Sequence, residues 1–111
     1  MNKKLTTAIT ILVISVFLIL FLWQQTLILP IILLFLAYIK HKTIPIKKEF
    51  LWFTSLLITS WLVEVLLVNI GQAWQYNSPS FLNVPIYLPI FWGILGTTLI
   101  IVHQELTKKF N

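Results

Sequence analysis

The sequence predicts an all-α membrane protein, a four-helix transmembrane bundle made of two helical hairpins with both chain ends cytoplasmic. Three observations predict it. Hydrophobic residues make up 59% of the 111 residues and charged residues only 10%, a balance unsuited to a soluble core with a solvated shell. The apolar residues are gathered into four runs, three of them long. All eight lysines lie at the ends of those runs, in just three places: Lys3 and Lys4, Lys40 to Lys48, and Lys108 and Lys109. Loops on the cytoplasmic face of a membrane carry the excess of Lys and Arg, and with four spans these three places share one face. A three-span arrangement would split them. The net charge of +5 is therefore read as an orientation signal and not as a nucleic-acid patch.

The first span, 5–22, follows a basic start. Its apolar stretch exceeds the ~7–15 residues of a signal-peptide core. Trp23-Gln24-Gln25 offers no small-residue cleavage site, so the helix is expected to be retained. The second, 26–39, is short: at 1.5 Å per residue it reaches only ~21 Å against ~30 Å of hydrocarbon. It is expected to span by recruiting Trp23 at one end and letting Lys40 and Lys42 snorkel at the other. Pro30 falls in its first turn, where a missing N–H is harmless. The polar loop from Lys40 to Lys48 leads into the third span, 50–70, with Glu49 placed to favour the positive end of its dipole. The fourth, 84–102, opens with Pro85 and Pro89. Glu105, near Lys108 and Lys109, reads as an interfacial residue, and His41 and His103 as solvated surface. One domain, 1–111, accommodates all four spans.

Chemistry is concentrated in the second hairpin. Glu64 stands alone in an apolar run, and an ionisable group at the bilayer centre costs at least ~2.5–3.5 kcal/mol on insertion scales, so it is a functional-site candidate by default. At about 100° per residue, Ser60/Trp61, Glu64, Leu67/Val68 and Gly71 form one stripe. Asn69 lies elsewhere around the helix. Glu64 sits roughly 10 Å below Gly71, within reach of Trp74 and Tyr76 in the following loop. Pro89 is expected to interrupt helix four and free a carbonyl near Pro85. Backbone freed in this way is tolerated in a membrane only beside protein or a wet cavity. The expected site is an outward-facing pocket with Glu64 as proton donor or acceptor, lined by Trp61, Asn69, Gly71, Trp74, Tyr76, Pro85, Pro89 and Trp92. The competing structural readings are an aromatic interface belt for Trp74, Tyr76, Tyr87 and Trp92, a turn and a helix start for Pro79 and Pro85, and a hydrogen-bonding structural role for Glu64. Without cysteine, and with two histidines and three acids, the sequence implies no disulfide, no metal site and no cofactor.

The pattern Glu64-x6-Gly71-x2-Trp74-x-Tyr76-x2-Pro79-x5-Pro85-x3-Pro89-x2-Trp92 resembles a signature of small bacterial integral-membrane proteins. Over residues 61–93 it is also distantly similar to membrane proteins of carotenoid biosynthesis, the carotenoid hydratase and small-subunit lycopene cyclase groups. That resemblance implies an isoprenoid or lipid pocket with one acid, in a bacterial inner membrane. The cyclases carry Pro-x-Glu-Glu at the next helix start, whereas here Ile90, Phe91 and Trp92 follow Pro89, so cyclisation is not expected.

Three functions stay open. The first is a protein that binds or processes a lipid or isoprenoid, with membrane lipid as its surroundings. The second is a non-catalytic subunit or assembly factor of a larger membrane complex, using Gly93, Gly96 and the aromatic loop as contact surface. The third is a small proton-coupled exporter acting as a homo-oligomer with paired Glu64 residues.

Overall fold

The computed structural model describes residues 3–25, 27–71 and 84–110. These described residues form four helices: α1 (Lys3–Leu22), α2 (Ile28–Thr43), α3 (Glu49–Asn69) and α4 (Tyr87–Phe110). Each follows an apolar run expected from the sequence. α2 and α4 continue past the expected ends, through Lys40–Thr43 and through His103–Phe110, because nothing in either segment breaks a helix.

The sequential pairs α1–α2 and α3–α4 pack as hairpins do, and α4 joins the two. α4 packs against all three others, α1 and α2 pack on each other, and α3 rests chiefly on α4. Spacing explains the trio of α1, α2 and α4. Leu5, Ala8, Ile11 and Ser15 on α1 recur every three or four residues, as do Leu29, Leu33, Leu36 and Lys40 on α2. On α4, Ile90, Ile94 and Ile101 meet these stripes in a core completed by Ile44 from the loop. α3 contributes no fully buried side chain to that core, only the partly buried Phe53 and Leu57.

α3 instead meets a second face of α4, where glycines allow close approach. A Cβ added at Gly93 would lie 2.7 Å from Cε2 of Phe53, and one at Gly96 would lie 2.4 Å from Cδ1 of Leu56. Several serine and threonine hydroxyls bond back to their own helices, as Ser15 does to Leu12 O at 2.8 Å and Thr97 to Gly93 O at 2.8 Å.

Among the described residues, three helical segments, Lys3–Leu22, Glu49–Asn69 and Tyr87–Lys108, are long and apolar enough to cross a membrane. α2, with 16 residues, is shorter. The molecule measures 43 × 26 × 21 Å, and its long dimension matches the ~40–45 Å of a bilayer with its headgroups.

Candidate functional site

Glu64 is buried where α3 meets α4, and its Oε1 accepts a hydrogen bond of 2.5 Å from Nε1 of Trp92. The two residues are 28 apart in sequence, and each lies five residues inside the helix end that faces the intervening segment. That symmetric placement is the signal that could have paired them, since sequence reasoning singled out both without joining them. The indole is 37% exposed, so the carboxylate is covered while its donor opens onto the molecule's surface. The ring of Phe91 packs against that of Trp92 with centroids 5.8 Å apart.

The remaining expected site residues divide. Trp61 is half-buried on α3, three residues before Glu64. The Asn69 side-chain amide donates to Val65 O at 3.0 Å, tying it to its own helix. Gly71 is exposed just past the helix end, with its N–H bonded to Leu66 O. Trp74 and Tyr76 lie outside the described residues.

Pro85 and Pro89 are both buried, but they do not form the expected kink. α4 begins at Tyr87, which makes Pro89 its third residue. The first four N–H groups of a helix have no intrahelical partner, so a proline there frees no carbonyl. The carbonyl of Pro85 is itself occupied, accepting from Leu88 N at 3.2 Å. The correction follows from a helix that starts three residues later than the apolar run.

A second polar cluster, which the sequence did not join, lies where α2 gives way to α3. Lys40 is buried, not snorkelling, and its Nζ lies 2.9 Å from Oε2 of Glu49, also buried. The other oxygen of Glu49 accepts from Ile46 N at 3.1 Å and lies 3.2 Å from Nδ1 of His41. One carboxylate therefore clamps the end of α2, the connecting loop and the start of α3. The clamp holds a loop in which Lys48 adopts φ 58°, ψ 41°, a left-handed conformation uncommon outside glycine. Burial pushes the Lys40 ammonium below its ordinary pKa, and the hydrogen bond and charge of Glu49 oppose that shift. Glu105, read as interfacial, is buried on α4 with Lys108 Nζ 3.5 Å away.

Among the described residues no group of His, Cys, Asp and Glu is placed to hold a metal ion. Comparison of the chain with family models, characterised proteins and solved structures finds no match.

Proposed function

We propose that this chain is a small multi-pass protein of a bacterial inner membrane that binds an apolar lipid or isoprenoid beside Glu64. In this reading α2 supplies a fourth crossing, both termini are cytoplasmic, and the Glu64 end of α3 faces outward. The observation that carries the proposal is the contact between a buried carboxylate and a surface-opening indole. Trp92 fixes the orientation of Glu64 and also presents an aromatic face against which an apolar molecule could lie. A carboxyl held in this way is positioned to bind a polar end of the ligand or to exchange a proton with it.

A subunit role is the second reading. It is favoured by the position of α3, which rests on α4 and leaves Phe50, Leu51, Leu62, Leu66 and Ile70 exposed. The exporter reading ranks third, because Glu64 already accepts from Trp92 of its own chain.

Mass spectrometry of material co-purifying in native lipid nanodiscs tests the proposal. A specific lipid or isoprenoid should accompany the wild type and disappear with Glu64→Ala. Retention in Glu64→Gln would assign hydrogen bonding to the carboxyl, and loss in both variants a proton role. Bulk lipid alone, with a stoichiometric protein partner kept in every variant, would overturn the pocket and leave the subunit reading.

A further inference from the structure

α2 and α3 each pack on α4 but little on each other, and the Lys40–Glu49 pair joins them only at their ends. Between them lies an open cleft of about 250 Å³, lined by Ala37, Tyr38, His41, Glu49, Phe50 and Phe53. Its walls are largely apolar, and its polar groups are those of Tyr38, His41 and Glu49, the last two where α2 gives way to α3. The cleft is thus graded from hydrocarbon-like to polar along the direction in which a lipid is graded.

The charges at the mouth select the kind of lipid. Glu49 lines the cleft, but the buried Lys40 ammonium neutralises it from within. His41 is half exposed and meets Glu49 through Nδ1, an arrangement in which a carboxylate can only accept. Lys42 is exposed and sits over the ring of Tyr38, itself a cleft wall, with Nζ 5.5 Å from the ring centroid. Lys47 and Lys48 are exposed in the same loop. With Glu49 compensated, the charge left at the mouth is positive.

We infer that the α2–α3 cleft is a binding site for one anionic phospholipid. One acyl chain would lie against Ala37, Phe50 and Phe53, with the phosphate drawn to Lys42 and the exposed edge of His41. Basic pockets between membrane helices recognise acidic headgroups by this combination of depth and charge. The site is separate from Glu64 and does not depend on the reading of that residue.

The full chain in nanodiscs of phosphatidylcholine with a minor fraction of phosphatidylglycerol provides the test. Native mass spectrometry would read the ratio of the two lipids retained on the protein. Phosphatidylglycerol should be enriched over its bulk share in the wild type. Lys42→Gln should reduce that enrichment by about fivefold, the effect of one lysine near a membrane surface. Ala37→Trp, which fills the cleft, should abolish it. Lys4→Gln removes an exposed lysine that does not line the cleft and should leave the enrichment unchanged. Retained lipid at the bulk ratio would overturn the inference. So would equal losses in Lys42→Gln and Lys4→Gln, which would mean general surface attraction. Because Lys42 is exposed, its substitution keeps the test valid even if Ala37→Trp fails to fold.

Discussion

Glu49 and Glu64 have partners of different kinds, and the difference sets what each substitution should do. Glu49 is paired with a cation that is itself almost fully buried. Removing only the cation strands a buried charge, at a cost of about 3–5 kcal/mol, whereas replacing both with apolar residues of similar volume is often neutral. Lys40→Ala should therefore lower the stability of the detergent-solubilised protein by that amount in an equilibrium unfolding titration. Lys40→Met combined with Glu49→Leu should restore it, and a single variant as stable as the wild type would show the pair to be unimportant. Glu64 has a neutral donor, and hydrogen bonds between membrane helices average only ~0.6 kcal/mol, reaching ~1.7 at most. Trp92→Phe is expected to cost about 1 kcal/mol in the same titration, and less once Glu64→Gln is already present. A loss as large in that background as in the wild type would place Trp92's contribution in packing alone. The sequence made Glu64 legible because nothing in an apolar run accounts for it. It hid the Lys40–Glu49 pair because each residue had a sufficient local explanation, snorkelling for one and a helix dipole for the other. Their pairing depends on how two helix ends meet, which no local rule contains.

The four helices were legible as elements because hydrophobic runs and charged ends mark them, but their boundaries and partners were less so. A shift of three residues in the start of α4 decides whether Pro89 breaks a helix or merely opens one, and proline is well suited to a first turn. The faces of α4 show the same limit. Gly93 and Gly96 were recognisable as places of close approach, yet they meet Phe53 and Leu56, eleven and eight residues before Glu64, a register that spacing alone does not give. These contacts predict a graded response. At Gly93 a new Cβ meets three atoms of a stiff ring, all within 3.1 Å, so Gly93→Leu should cost about 1–3 kcal/mol through overpacking. At Gly96 the closest atom is a terminal methyl of Leu56, which can rotate away, so Gly96→Ala should cost less. Thermal unfolding followed by helical circular dichroism would rank the two variants, and the reverse order would contradict the α3–α4 packing described above.

At the scale of the whole molecule, the distribution of lysine and the length of α2 make different demands. Lysines at both ends and in the 40–48 loop favour an even number of crossings, with all three places on one face. α2, at 16 residues, extends only ~24 Å, short of ~30 Å of hydrocarbon. A short span is accommodated by local thinning of the bilayer or by flanking residues that reach the interface, each at a modest cost. Burial of Lys40 does not oppose crossing, because its charge is paired at the helix end and is not held in hydrocarbon alone. The lysine pattern should therefore prevail. The absence of cysteine makes this directly measurable, since single cysteines can be introduced without a background signal. Lys4→Cys, Lys47→Cys and Lys108→Cys should resist a membrane-impermeant maleimide in intact cells and react after permeabilisation, whereas Ser78→Cys, in the segment between α3 and α4, should react at once. If α2 fails to cross, the labels regroup: position 4 would share a face with position 78, and positions 47 and 108 would lie opposite. That second pattern would move the anionic-lipid cleft to the other face from the N-terminus and remove the charge argument for four spans.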